Sequence, residues 1–310
     1  MSSGMNQTET ISSAKSFFPL NIFRKITLAL VLLILVFAVF GNTLRNGFVF
    51  DDTSMIEKNS AIRSPRYIKL YFTRPFFSVG RPVTGPVEFD YYRPLVLVSY
   101  LLDYLLWNNA PAGYHLTNLL LQSLTAILLF LVLCRLKIPL LPAFLAALFF
   151  AIHPAVADSV AGVSGRSDPL CAVFLLSAFY CYLLMRQHAG GKAKRWYRIG
   201  FILAFMLSLL AKENAAAFPF LLTGYEFLRI GPSANGRAKN LLTAYGVLAA
   251  YILWRAQMVP GSFSLWEPGV DLANRTVTAI QIAADYLIMA FIPVNLFFER
   301  FTPRAEAAAT

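Results

Sequence analysis

Residues 26–52 read ITLALVLLILVFAVFGNTLRNGFVFDD: an apolar run, a short polar hinge, and then two adjacent carboxylates. A helix that crosses a hydrocarbon core needs roughly 20 residues at about 1.5 Å each, and the stretch 26–44 meets that length. Arg24 and Lys25 precede it as they would a secretory signal, but Ala38-Val39-Phe40 lacks the small residue that cleavage requires. The run is therefore read as a retained signal anchor. The Ser/Thr/Asn-rich residues before it read as a disordered cytoplasmic tail.

Further apolar segments follow at about 114–134, 138–152, 169–185, 199–211, 214–228, 240–257 and 276–298. The whole 310-residue chain is 57% hydrophobic and only 14% charged, a profile rare in a water-soluble globule. The expectation is an all-α integral membrane protein, a polytopic helical bundle with about eight crossings. Its expected division is a cytoplasmic tail at 1–25, the first membrane helix at 26–44, a non-cytoplasmic loop at 45–113, a membrane bundle at 114–300 and a second tail at 301–310. The formal charge of +11 does not point to nucleic acid, because cytoplasmic loops of membrane proteins gather basic residues as anchors. Cys134, Cys171 and Cys181 all fall in membrane segments without zinc-type spacing, so neither a disulfide framework nor a metal centre is indicated.

Eight crossings place both termini on one side. If that side is cytoplasmic, it holds Lys15, Arg24, Lys25, Arg135, Lys137, Arg186, Lys192, Lys194, Arg195, Arg198, Arg229, Arg237, Lys239, Arg300 and Arg304. Outside the long first loop, the opposite side holds only Arg166, Lys212, Arg255 and Arg275. The segment PLVLVSYLLDYLLW at 94–107 gives only about 21 Å of helix and is interrupted by Asp103, so it is read as an interfacial, juxtamembrane helix. Tyr100, Tyr104 and Trp107 suit a headgroup zone.

With this topology the residues that look chemical rather than anchoring collect on the non-cytoplasmic face. Asp51 and Asp52 are neighbours whose side chains point to opposite faces of an extended segment. One can therefore act as general base while the other orients it or binds substrate. Ser54 and Glu57 form the S-x-x-E pattern of a capping box, which frees the aspartates from capping. An Asx turn or helix cap is the plainer use of the pair. Arg93 precedes Pro94, which favours the first helical position, and the guanidinium would stand beside helix N–H groups able to hold a phosphate or a lipid headgroup. His153 closes a membrane segment with Asp158 five residues on, and a lone His there is more often structural than catalytic. Asp168 before Pro169 reads as a helix cap, while Arg166 beside it has no such role. Lys212-Glu213 lies between two very apolar segments, where the pair either snorkels or serves a developing charge. Tyr91 and Tyr92 could stack on a sugar ring or anchor at the interface.

These residues lie in an ordered set of motifs: GFVFDD at 47–52, YRPL at 92–95, GYHLTNLLL at 113–121, HP followed by SGRSD through 153–168, AKEN at 211–214, and NRTVTAIQ to PVNL within 274–296. The set, spanning about residues 41 to 300, resembles the transmembrane and tetratricopeptide-repeat O-mannosyltransferases and their prokaryotic relatives within the GT-C glycosyltransferases. The chain has Asp158 where relatives often have Glu, and Val156 where some have a second His. It ends before the additional membrane helices and the repeats of that family, so acceptor recognition by a repeat domain is absent here or supplied elsewhere.

The resemblance implies a GT-C fold and transfer of a sugar, mannose being one candidate, from a polyprenyl-phosphate donor to an acceptor hydroxyl of a protein or glycan. Transfer would occur on the non-cytoplasmic face, usually with inversion. Asp51 or Asp52 would take the hydroxyl proton. Arg93, Lys212, Arg166 and His153 would meet the donor phosphate, with Asp158, Asp168, Glu213, Tyr91 and Tyr92 in support. No cofactor is called for, although a divalent cation could sit at the acidic pair. Two other classes also need such a bundle: a transporter or lipid-sugar flippase, and an inactive fragment or subunit of a transferase. Paired halves and polar residues at the bilayer midplane, the marks of a transporter, are not found.

Overall fold

A computed structural model of the chain describes residues 7–80, 91–188, 190–228, 237–259 and 272–293. Among them the ordered elements are helices and helical turns: α1 (Gln7–Phe40), α2 (Ile68–Thr73), α3 (Pro94–Trp107), α4 (Pro111–Arg135), α5 (Leu140–Ile152), α6 (Ala157–Ala161), α7 (Ser167–Gln187), α8 (Gly191–Ala211), α9 (Phe218–Leu228), α10 (Arg237–Met258) and α11 (Leu272–Phe291). A helix stands at each of the eight places where the apolar runs predict one. Among the described residues three spans are long and apolar enough to cross a membrane, at 22–45, 111–135 and 164–187, and a fourth if the bent pair 140–152 and 154–161 is one broken span. The last expected crossing runs to 298, and its end beyond 293, like the tail at 301–310, lies outside the described residues.

Helix starts follow the proline rule. Pro94 and Pro111 each occupy the first turn of α3 and α4, where a missing N–H costs nothing. Between them Asn108 takes a positive φ of 52°, a conformation that asparagine tolerates better than most residues. The longer helices from α1 to α10 bury one stripe and turn large apolar residues outward, whereas α11 has no buried residue among those described. On α1, Leu32 and Val36 are buried while Leu30, Ile34 and Val39 are exposed, the arrangement of a helix with protein on one side and lipid on the other. The chain is thus a helical membrane protein.

Helices α7 and α8 pack most extensively, α4 bridges α7, α5 and α1, and α10 closes on α8 and α9. Small residues permit the close approaches: Ala126, Ala143, Ala147, Ala178 and Ala204 are all buried. Helix α3 lies against α4 and α8 rather than floating at the surface. Its Leu102, Leu105, Leu106 and Trp107 are exposed, but Tyr100 is fully buried, so only part of the expected aromatic anchoring exists.

The first loop is held by buried polar groups of its own. Asn59 donates to the Val79 carbonyl (3.1 Å) and accepts from Ala61 N–H (2.9 Å), and the Tyr71 hydroxyl donates to the Ala61 carbonyl (2.7 Å). The expected capping box does not form. The chain is already helical at Asp51, and the Ser54 hydroxyl donates back to the Asp51 carbonyl (3.0 Å), inside the turn rather than at its start.

Candidate active site at the loop-bearing rim

Three segments meet at the rim of the bundle that carries the first loop: the first loop at 51–80 and 91–93, the connection 153–168 between α5 and α7, and the break at 212–217 between α8 and α9. Their contacts are ionic. Arg93, next to the first turn of α3, binds Glu213 through both oxygens (Nη2–Oε1 2.8 Å, Nε–Oε2 3.1 Å) across 120 residues of chain. Its guanidinium also lies 4.2 Å over the Tyr91 ring. Lys212 turns the other way, and its Nζ meets Asp168 Oδ1 at 2.5 Å while Ser159 donates to Asp168 Oδ2 (3.2 Å). The Lys212-Glu213 pair therefore does not snorkel. Its two charges tie α8 to α3 and to α7.

Asp168 is consequently not the helix cap expected of it. Its side chain faces Lys212 and Ser159, and the start of α7 has no side-chain cap. His153 is the cap instead, its Nδ1 accepting the Ala155 N–H (3.1 Å) at the Pro154 turn, with its ring packed 4.7 Å from Phe149. The structure shows no contact of His153 with Arg93 or Lys212. Arg166, expected at the donor phosphate, is fully buried. It pairs with Asp103 (2.6 Å), donates to Asn118 Oδ1 (2.7 Å), the Tyr114 carbonyl (2.8 Å) and Ser99 Oγ (3.3 Å), and stacks over Tyr100 and Tyr114. An arginine whose three nitrogens all find partners inside the protein holds structure together.

The acidic pair divides, although its backbone is helical rather than the extended segment expected. Asp51 is exposed and Asp52 is fully buried. The Asp52 carboxylate accepts N–H groups from Ser164 (2.7 Å), Val163 (3.3 Å) and Val49 (3.4 Å). Among the described residues no group of three His, Cys, Asp or Glu comes together. Tyr92 is likewise buried, donating to the Phe72 carbonyl (2.9 Å) and accepting from Trp254 Nε1 (2.7 Å), so it cannot stack on a sugar. Tyr91 is the half-buried member of the pair.

Electrostatics connects the parts. Burial works against the charge on Arg93, but Glu213, Tyr91 and Asp168 outweigh it and strengthen its hold on the proton. Burial likewise opposes ionisation of Glu213, yet the Arg93 hydrogen bond and charge leave its carboxyl below the ordinary range. Asp158, on the rim helix α6, is pushed up by desolvation and by the Asp168 and Asp52 carboxylates, with Lys212 opposing. Asp158, Asp168, Asp52 and Lys212 thus share one electrostatic neighbourhood.

Sequence reasoning missed Asp103, Asn118, Tyr100 and Ser159 as parts of this arrangement. Asp103 and Asn118 carried a signal: each is a polar residue within an apolar helix, where an ionisable or amide group needs a partner.

No protein-family model matches the chain, and no solved structure is similar to it. Curated relatives are found. The chain is 36% identical over 160 residues to Protein O-mannosyl-transferase TMTC3 of Mus musculus, covering 52% of this chain and 17% of that protein. It is 28% identical over 270 residues to Protein O-mannosyl-transferase Tmtc2 of Drosophila melanogaster, covering 86% of this chain and 29% of the relative. For Protein O-mannosyl-transferase Tmtc3 of the same fly the match is 27% over 304 residues, covering 87% of this chain and 32% of the relative. The resemblance carried by the ordered motifs is therefore to proteins of this kind, along most of the chain but over less than a third of these relatives' own length.

Proposed function

We propose that this relative of the O-mannosyl-transferases is a membrane glycosyltransferase of GT-C type, with about eight crossings, its N terminus in the cytoplasm and its site on the non-cytoplasmic face. The donor is a polyprenyl-phosphate-linked sugar, mannose being the candidate the relatives' names suggest, and the acceptor is a hydroxyl of a protein or glycan. The observation that carries this reading is the pair of rim cations, Arg93 and Lys212, held by carboxylates from separate segments, with Lys212 in the same neighbourhood as Asp52. Cations fixed in advance at a partly dehydrated surface are what a departing phosphate requires.

In this reading Asp51 is the general base, because its carboxylate is exposed whereas that of Asp52 is occupied by three N–H groups. The acceptor proton moves to Asp51, the acceptor oxygen forms a bond to the anomeric carbon, and the bond from that carbon to the phosphate oxygen breaks with inversion. The bonding pair leaves with the polyprenyl phosphate. Lys212 is the cation suited to receive that charge, since its contact with Asp168 is a single point on a half-exposed carboxylate. Arg93, bidentate on Glu213 and stacked on Tyr91, supplies fixed positive charge behind it.

The test is to supply purified protein or its membranes with radiolabelled polyprenyl-phosphate sugars and follow label into protein and glycan. Asp51→Asn should remove transfer by about 100-fold or more, on the scale of a lost general base, while leaving the melting midpoint in detergent unchanged. Full transfer by a well-folded Asp51→Asn protein would exclude Asp51 as the base. Uptake of the sugar into sealed proteoliposomes without transfer would favour a transporter.

A further inference from the structure

The segment 160–166 is held from both of its polar sides. Its N–H groups at Val163 and Ser164 point into the Asp52 carboxylate (3.3 and 2.7 Å). Its carbonyls point the other way: Gly162 O accepts from Asn118 Nδ2 (2.9 Å), Val160 O from the same amide (3.5 Å), and Val163 O from the Tyr100 hydroxyl (3.3 Å). The Asn118 amide has no freedom to turn, because Arg166 fixes its oxygen (2.7 Å), and Arg166 is itself fixed on Asp103. Asn118, Tyr100 and Arg166 are all fully buried.

Gly165 is required by the same packing. A Cβ there would lie 2.7 Å from Ser159 Cα and 2.9 Å from the Asp158 carbonyl, so the segment rests directly on the backbone of the neighbouring rim helix. The run SGRSD is therefore one device. Its glycine permits contact with α6, its arginine is the internal pin, and its aspartate reaches out to Lys212.

We infer that Asn118, Tyr100 and Arg166 are positioning residues for the acidic pair: gripping the carbonyls of 160–163, they aim the loop's N–H groups at Asp52 and so fix where Asp51 projects at the rim. The inference rests on the transferase reading, in which Asp51 touches the acceptor, but its geometric half does not. It moves Arg166 from donor contact to support of the base. The chain of contacts runs from Asp103 through Arg166, Asn118 and the loop to Asp52; it does not touch Arg93, and Lys212 meets only Asp168, outside the gripped carbonyls of 160–163. Disturbing it should alter the chemical step and leave donor binding alone.

Two conservative variants test this. Asn118→Asp keeps an oxygen for Arg166 but deletes the donor to Gly162, and Tyr100→Phe deletes one hydroxyl and keeps the ring under Arg166. Should Asn118→Asp fail to fold, Tyr100→Phe alone carries the test. In each, kcat for sugar transfer should fall about 10-fold, the equivalent of one buried hydrogen bond, with KM for the polyprenyl-phosphate sugar within about 2-fold of wild type. Hydrogen–deuterium exchange of the peptide covering 160–166, measured on the detergent-purified chain, should accelerate by a similar factor.

Unchanged kcat, or a raised KM at constant kcat, would overturn the inference, and so would unchanged exchange. If the wild-type chain proves inactive, the transferase reading has failed, and exchange then decides the geometric claim by itself. Asp52→Ala should deprotect residues 163 and 164 if the carboxylate is their partner, and exchange at the wild-type rate would overturn the clamp.

Discussion

Replacing Arg166 by methionine leaves Asp103 as an orphan charge, its side chain only 4% exposed and its remaining partner the Thr117 hydroxyl at 2.7 Å. At 2.6 Å the ion pair is worth about 6 kcal/mol of Coulomb energy at an effective dielectric of about 20, most of it offset by the desolvation of both groups. The asymmetry decides the outcome: an intact pair adds little, but removing one partner of a buried pair costs about 3–5 kcal/mol. Asp103→Leu should cost a similar amount by stranding Arg166. The double variant Asp103→Leu/Arg166→Met strands no charge. It loses the hydrogen bonds of Arg166 to the Asn118 amide oxygen, the Tyr114 carbonyl and the Ser99 hydroxyl, and that of the Thr117 hydroxyl to Asp103, at about 1 kcal/mol each. It should therefore be no less stable than either single variant, with a coupling energy of about 3 kcal/mol. Denaturant or thermal midpoints followed by tryptophan fluorescence at fixed detergent concentration would measure the cycle. Additive single effects, or an Arg166→Met cost below about 1 kcal/mol, would refute the assignment of Arg166 to a buried pair.

Further expectations concern the rim. Because Arg93 holds the Glu213 carboxyl below its ordinary value of 4.5, the stability it contributes is present above that value and is lost as pH falls through the lower, folded value. Glu213→Gln should remove this part of the acid limb in a pH series of melting midpoints, and an unchanged acid limb would show that the pair does not couple to folding. Asp158 has the opposite sign. A carboxyl pushed up by its surroundings is unfavourable when ionised, so Asp158→Asn should raise the midpoint at pH 7 and leave it unchanged well below the ordinary 3.8. Gly165→Ala forces a methyl against the Ser159 and Asp158 backbone and should cost about 1–3 kcal/mol with loss of transfer, whereas Gly47→Ala, which meets nothing within 4 Å, should be tolerated.

How far the fold could be read in advance follows from which interactions are local. The helices were legible because apolar length and N-terminal prolines act within one segment, as at Pro94 and Pro111. The division of Asp51 from Asp52 was not legible in its cause: alternation along an extended segment suggests it, but the two residues begin a helical turn, and it is the 163–164 N–H groups, more than 110 residues away, that hold Asp52 inward. Arg93 and Arg166 were not distinguishable: each stands at a helix start, and what separates them is distant in sequence. Arg93 finds Glu213 across 120 residues, and Arg166 finds Asn118 and Ser99 across 48 and 67. Asp168 was misread as a cap for the same reason, since a local role was available and Lys212 lies 44 residues on. Tyr92, too, looked like a surface aromatic until Trp254, 162 residues away, supplied its partner.

The charge balance of the rim constrains how a phosphate could be received there. The two rim cations of the proposed chemistry, Arg93 and Lys212, are each already paired with a carboxylate, Glu213 and Asp168. On the proposed reading the lipid delivers the anionic donor along the membrane surface. Once there, the phosphate has to compete for a cation with a carboxylate already in place. Glu213 competes well, being bidentate and 21% exposed, whereas Asp168 holds Lys212 by one oxygen and is 46% exposed. Water screens the more exposed contact and weakens it, so the exchange falls at Lys212. Asp168 then keeps its Ser159 hydrogen bond and its place on α7, so a phosphate can be bound and released at the rim without disturbing the buried pair beneath it.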